Sequence, residues 1–360
     1  MAQPLLPDLL IEGYRGLRRL ELKQLGNVNL FVGQNGVGKT SVLEAVQLYS
    51  SQAALSDLMN LLQIREEASD PANPRNFEAL FFNRAAFTSG AEIKVGPRTS
   101  LVSFSIKSTV RTVDNDGTVR YRFPNEVDNG QLPVRIPTLT IEQAGELLRY
   151  APLDGGQQAG IRPYFIELPG KARNPSNTFV NATGLDSQQF GGLWDKIVLT
   201  DFEEELNGAL THINQDIQRV SLIQKEGGVR RAIAKLRNSD RPVPFRSLGD
   251  GIYRYIGIAL ALANAKDGFL LVDEFENGLH YKTQEALWKF VIRMAREFNV
   301  QVFVTTHSRD CIGAFGRAAA ADPQSVGMLF RLEQFRGEIV ETHFEESSIV
   351  TIAENLIEVR

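Results

Sequence analysis

The segment Gly33-Gln34-Asn35-Gly36-Val37-Gly38-Lys39-Thr40 meets G-x-x-x-x-G-K-[ST] at every fixed position. An apolar run, Val28-Asn29-Leu30-Phe31-Val32, enters it. Apolar residues at helical spacing leave it, at Val42, Ala45, Val46, Tyr49, Ala53 and Leu58. Strand, glycine-rich loop and helix in that order constrain the chain to an α/β fold with a phosphate cradle. The glycines let backbone N–H groups wrap an anion, and the helix N-terminus adds its positive dipole. Lys39 is suited to neutralise β- and γ-phosphates, and Thr40 to hold Mg²⁺ through its hydroxyl. That context disfavours a chance glycine-rich turn.

Other elements are legible around this loop. Leu9-Leu10-Ile11 and Leu20-Glu21-Leu22 read as strands about Gly13-Tyr14-Arg15-Gly16, and a helix is expected over Ser41 to Leu62. Ile93 to Val95, Leu101 to Ile106 and Thr118 to Phe123 read as antiparallel strands, with turns at 115–117 and 128–130. Residues 155–190 are rich in Gly, Asn, Ser and Gln and read as loop. Trp194 to Asp216 is expected as a helix, and 218–236 as a hairpin about Gly227-Gly228. From Ser247 the pattern alternates: helix Ile252–Ala265, strand Phe269–Val272, helix Tyr281–Glu297, strand Val300–Thr305. A strand pair, Gly327 to Leu332 and Glu338 to His343, precedes a terminal helix.

Gly268-Phe269-Leu270-Leu271-Val272-Asp273-Glu274 is an apolar strand ending in two acids. Such a run suits a central parallel strand buried on both faces. Its C-terminal end is where α/β sheets bind ligands. Asp273 would support Mg²⁺, and Glu274 would act as general base on an attacking water. A solvated acidic turn is the bland alternative, and the phosphate loop weighs against it. His307 follows another apolar strand, Val302 to Thr305, and could sense a γ-phosphate. Ser247-Leu248-Gly249-Asp250-Gly251 opens a helix and offers N–H groups to an anion, although ordinary N-capping looks the same.

Phosphate loop, Ser-Leu-Gly-Asp-Gly, Leu-Leu-Val-Asp-Glu, Glu-Asn-Gly-Leu-His and Thr-Thr-His-Ser, in that order, resemble the ABC-type ATPases of the SMC/RecF/OLD branch. Within that branch the chain resembles stand-alone AAA-type ATPases found beside nucleases in bacterial defence loci. The resemblance covers 8–50 and 245–312 strongly and the tail weakly. It implies an α/β ABC-type ATPase head, a mixed β-sheet with helices, split by a β-rich, loop-containing insertion and a helical lever region. The expected divisions are an N-terminal lobe (1–90), the insertion (91–190), a helix plus hairpin (191–245) and a C-terminal lobe (246–360).

Residue by residue, the resemblance implies that Gly33, Asn35, Gly36, Val37, Gly38, Lys39, Thr40 and Ser41 bind ATP. Thr40 and Asp273 would hold Mg²⁺, with Glu274, His307 and Lys39 in catalysis. Glu276–His280 stands at the D-loop. Ser247, Gly249 and Gly251 stand at the signature motif, with Gly249 where the family has serine. Asn83 is one candidate for the Q-loop residue. In such ATPases the signature loop reaches the nucleotide of the opposite subunit, which implies a homodimer or higher oligomer sandwiching ATP. The resemblance also implies an anti-phage sensor or scaffold controlling a separate nuclease or toxin effector. A RecF-like repair ATPase that clamps DNA is the alternative.

Other features narrow the class. No apolar run reaches the roughly 18 residues of a membrane span. The N-terminus lacks the basic region and cleavage site of a secretory signal, so a cytoplasmic protein is expected. The single cysteine, Cys311, excludes a disulfide framework. A net charge of −4 argues against a globally basic nucleic-acid binder. Arg15, Arg18, Arg19 and the run Arg230, Arg231, Lys235, Arg237, Arg241, Arg246 remain candidate phosphate-backbone contacts. A solvated surface explains them equally well, and Arg15 could instead touch nucleotide. Asn264-Ala265-Lys266-Asp267 only superficially resembles the guanine-reading N-K-x-D. The middle is too short and lacks the heptads of a long SMC coiled coil. Too few residues follow Cys311 for a Toprim nuclease domain, so effector chemistry is expected on another chain.

Overall fold

The computed structural model describes residues 3–68, 73–113, 119–124, 134–153, 166–168, 173–224, 230–322, 324, 326–345 and 348–349. The chain opens with β1 (Leu9–Tyr14), β2 (Leu17–Leu22), β3 (Val28–Val32), α1 (Lys39–Ser50) and α2 (Leu55–Ile64). Next come β4 (Glu92–Gly96), β5 (Val102–Val113), β6 (Val119–Arg122), β7 (Arg135–Gln143), β8 (Glu146–Pro152), β9 (Ile166–Glu167) and β10 (Asn177–Val180). Two helices, α3 (Ser187–Asp195) and α4 (Asp201–Ile213), precede β11 (Ile217–Gln224), β12 (Arg230–Leu236) and β13 (Val243–Pro244). The rest is α5 (Asp250–Ala263), β14 (Phe269–Val272), α6 (Tyr281–Glu297), β15 (Gln301–Thr305), α7 (Arg309–Ala320), β16 (Gly327–Phe335) and β17 (Glu338–Glu345).

The central sheet runs β10-β14-β15-β3-β16-β17 and is parallel except for its last pair. Its inner strands β14, β15 and β3 are mostly apolar and fully buried because both faces are covered. Leu30 and Val32, Leu270 and Val272, and Val302 and Val304 enter one core. Phe31, Phe269, Leu271 and Phe303 enter the other. The first core lies against α3 to α7 and the small sheet β11-β12-β13. The second lies toward the larger antiparallel sheet β2-β1-β4-β5-β7-β8-β9, with β6 beside β5. Helix α1 is buried from Ser41 to Ser50 and packs on strands of both sheets.

Several elements depart from the sequence expectation. The helix expected over Ser41 to Leu62 stops at Ser50, where Gln52 and Ala53 adopt positive φ and Ala53 N–H reaches back to the Leu48 carbonyl. Trp194 to Asp216 is likewise not one helix: α3 ends at Asp195, and Leu199 turns through a positive φ before α4. Residues 155–190, expected as loop, contribute β10, the edge strand beside β14. β10 is short and three of its four side chains are only half-buried, so no apolar pattern announces it. The expected insertion therefore shares its strands between two sheets: β4 pairs with β1, and β10 joins the central sheet. The turns expected at 115–117, 128–130 and 227–228 lie outside the described residues, as does most of the terminal helix.

Arg15, a candidate polyanion contact, is instead buried at the β1–β2 turn. Its Nε lies 2.8 Å from Glu44 of α1 and its Nη1 2.7 Å from Glu67. Glu44 also accepts from Tyr14 Oη at 2.8 Å and pairs with Arg65 at 2.8 Å. Burial and the Glu44 charge push the Tyr14 hydroxyl well above its ordinary pKa. Removing one partner of a buried charge network costs more than the network contributes, because the other charges stay buried. Glu44→Gln should therefore destabilise the chain by about 3 kcal/mol. Arg19→Gln, at an exposed pair with Glu12, should cost less than about 1 kcal/mol. Urea unfolding of both variants tests this, and equal midpoints would refute it.

Candidate functional site

The site stands at the C-terminal ends of three adjacent parallel strands, β14, β15 and β3. The phosphate-type loop leaves β3 at Gly33, whose φ is 141°. A Cβ there would lie 2.2 Å from the Leu332 carbonyl oxygen, so only glycine lets the loop cross β16 at this point. Val37 is buried and anchors the loop, while Gln34, Asn35 and Gly36 are exposed. Gly38 caps α1, which begins at Lys39 and presents its N-terminus to the loop. Lys39 Nζ donates to the carbonyls of Gly33 at 2.7 Å and Gln34 at 2.9 Å. Burial lowers the Lys39 pKa, with Asp273, Glu274 and Glu276 opposing.

Thr40 Oγ1 lies 3.1 and 3.2 Å from the two Asp273 carboxylate oxygens. A hydroxyl and a carboxylate at that separation are the hard oxygen donors that Mg²⁺ takes alongside substrate phosphates and water. Among the described residues no cluster of three or more His, Cys, Asp and Glu could hold a metal alone. A Thr–Asp pair completed by phosphate oxygens needs none.

Thr305, at the end of β15, organises both acids. Its Oγ1 donates to Asp273 Oδ1 at 2.6 Å and accepts from Glu274 N–H at 2.8 Å. Glu274 has a φ of 48°, uncommon for a residue with a side chain. Its Oε2 accepts from Asn277 Nδ2 at 2.6 Å, and its Oε1 is 4.0 Å from His307 Nδ1. His307 is half-exposed, and its Nδ1 lies 3.3 Å from the nearly buried Glu276 carboxylate. That carboxylate also accepts from His307 N–H at 3.1 Å.

The fold thus gathers Gly33–Ser41, Asp273, Glu274 and His307 at one edge. It does not bring Ser247 and Gly249 there. Both are exposed, and among the described residues no hydrogen bond joins them to the phosphate-type loop. Gly251 serves packing instead: a Cβ would lie 2.5 Å from the Gly278 carbonyl, so its hydrogen allows α5 to approach the 276–279 turn. Asn83 is exposed in a positive-φ turn, with no hydrogen bond to the loop among the described residues. Arg254 was missed. It is 5% exposed on α5, donates to the backbone of the acid turn, and burial pushes its guanidinium down to about 10. The signal was present, since it is the only cation within the otherwise apolar helix Ile252–Ala265 before Asn264.

Residues 168–310 match a family described as AAA domain, putative AbiEii toxin, type IV TA system. That stretch holds the 247–251 loop, Asp273, Glu274 and His307 but not the phosphate-type loop. An "ATP/GTP phosphatase" of Helicobacter pylori is 21% identical over 337 residues, covering 84% of this chain and 85% of the relative. A solved SMC head bound to the C-terminal winged-helix domain of ScpA is 13% identical, with a TM-score of 0.53 over 97% of this chain and all of that one. The SMC head of Thermotoga maritima aligns over 94% of this chain and 99% of that one, at 12% identity and a TM-score of 0.43. The fold is α/β, with mixed sheets and helices like those of the SMC head, and the sequence matches are to an AAA domain and an ATP/GTP phosphatase.

Thr305 supplies the sharpest structural test. Thr305→Val keeps the shape of this fully buried side chain but leaves Glu274 N–H without its acceptor. The expected loss is about 1–3 kcal/mol, read by thermal or urea unfolding. An unchanged midpoint would show that this bridge does not hold the turn.

Proposed function

We propose that this chain hydrolyses ATP, with Mg²⁺, at the edge formed by β3, β14 and β15. The carrying observation is the Thr40 hydroxyl, 3.1 Å from Asp273 at the start of the loop helix, with Glu274 on the next residue. In this reading Gly33, Asn35, Gly36, Val37, Gly38, Lys39, Thr40 and Ser41 hold the phosphates, and Lys39 exchanges its two loop carbonyls for phosphate oxygens. Thr40 and Asp273 would hold Mg²⁺, which would supply charge neutralisation to the phosphates. Glu274 accepts the proton of the water that attacks the γ-phosphorus, as ADP leaves in line. His307, turned by Glu276, faces the γ-phosphate.

Two copies are proposed to share two nucleotides head to tail. Ser247 and Gly249 are exposed and unconnected to their own phosphate loop, which leaves them available to a second copy's nucleotide. The resemblance to ATPases found beside nucleases favours an anti-phage sensor or scaffold that controls a separate nuclease or toxin, and the matched family's toxin–antitoxin description favours only a system of two components. Glu274→Gln should bind ATP, lose turnover by about 10²–10⁴-fold, and dimerise with ATP in light scattering. It should also retain the product of a neighbouring effector gene on co-purification. A variant that stays monomeric with ATP would refute the shared site; full turnover would refute the base.

A cationic sheet face favours DNA as a second ligand. Arg219 and Arg231 are exposed on β11 and β12, with Arg219 opposite the half-buried Lys235, whose Nζ donates to the Ser239 carbonyl at 2.6 Å, and the inward positions filled by Val220, Ala232 and Ala234. Arg230 is instead paired with Asp195, Arg246 lies over the Tyr253 ring, and Arg18 and Arg19 face glutamates. If the face follows a phosphate backbone, duplex affinity falls with log salt at a slope reduced by about 1 in Arg231→Gln. An unchanged slope would exclude Arg231 from the interface.

A further inference from the structure

Arg254 lies in the second turn of α5 and is almost fully buried. Its Nη1 donates to the Asn181 carbonyl at 2.5 Å, directly after β10. Its Nη2 donates to the carbonyls of Asp273 at 2.6 Å and Glu274 at 2.9 Å, directly after β14. The guanidinium therefore spans the ends of two neighbouring strands and fixes two consecutive carbonyls of the acid turn. Those carbonyls point to one nitrogen while the chain passes through the left-handed conformation of Glu274, whose φ is 48°. A residue with a side chain in that region costs about 1 kcal/mol and persists only where its surroundings hold it. Three groups hold Glu274: Thr305 at its N–H, Asn277 at its carboxylate and Arg254 at its carbonyl.

We infer that Arg254 is a positioning residue for Glu274, setting through the backbone the direction in which the carboxylate meets the attacking water. This rests on the proposed role of Glu274 as base. The chemistry favours arginine alone here. A planar fork reaches carbonyls on two strands with separate nitrogens, whereas a lysine ammonium presents a single donor centre. The hydrogen bonds of Arg254 go to backbone carbonyls, so its loss misdirects the base without removing any group proposed to contact phosphate. A misplacement of about 1 Å at a reacting group costs on the order of 100-fold in rate.

The test uses the full chain with Arg254→Lys and Arg254→Met. Expected for both is a fall in kcat for ATP of about 100-fold, with KM and equilibrium ATP affinity changed less than about twofold. In the Glu274→Gln background the same substitutions should lower residual turnover less than about twofold, because coupled residues do not add. Unchanged kcat, parallel changes in kcat and ATP affinity, or additive losses in that background would overturn the inference. Failure of both variants to fold would assign Arg254 a structural role and overturn it too. Wild-type turnover separates the layers: its absence overturns the hydrolytic reading and this inference together, and its presence with an unaffected Arg254→Lys overturns this inference alone.

Discussion

Strands β14, β15 and β3 run parallel, with Val272 opposite Val304 and Thr305 opposite Phe31. That register sets Asp273 level with Thr305 and brings Gly33 out two residues beyond Phe31 at the same end of the sheet, although the three are far apart in sequence. Parallel pairing of this kind requires crossover connections and burial on both faces. Helices α5, α6 and α7 cover one face, and α1 with the larger sheet covers the other. The arrangement of acids, hydroxyls and glycine loop is therefore a consequence of how this sheet is packed. A shift of one residue in β15 would turn Thr305 to the other face and remove its bridge between the Asp273 carboxylate and the N–H of Glu274.

Polar groups at this edge are tied to one another before any ligand is considered. Thr305 bridges the two acids, Asn277 holds the Glu274 carboxylate, and Glu276 meets both His307 nitrogens that face it. Arg254 fixes the turn from below. Such preorganisation matters because a positioned proton acceptor contributes only in the correct geometry. The buried set of Tyr14, Arg15 and Glu44, flanked by the half-buried Glu67 and the exposed Arg65, does a related job at α1. It locks the helix that begins at Lys39 against the β1–β2 turn, and in doing so removes Arg15 from any surface role.

The residues that sequence reading found share one property: their chemistry is local. Gly33 to Thr40 needs consecutive glycines, a lysine and a threonine, and Asp273-Glu274 needs an apolar strand before it. Most strands and helices of the 250–345 region were legible for the same reason, through apolar period. β10 was not legible, because an edge strand of four residues with half-buried side chains has no pattern of its own. The break after Ser50 was not legible either, because Gln52 and Ala53 adopt positive φ without the glycine or asparagine that normally marks such a stop.

The sequence by itself determined that a phosphate-type glycine loop, a paired-acid strand and a strand-end histidine occur in that order. It could do so because each is a short run whose residue types are dictated by its own backbone and chemistry. Only the tertiary structure decided which polar residues serve them. Thr305, Glu276 and Arg254 act through atoms that lie far away along the chain or on the main chain of another element. Arg15 shows the same limit from the other side: charge alone suggested a surface contact, and burial beside Glu44 and Glu67 made it part of the core.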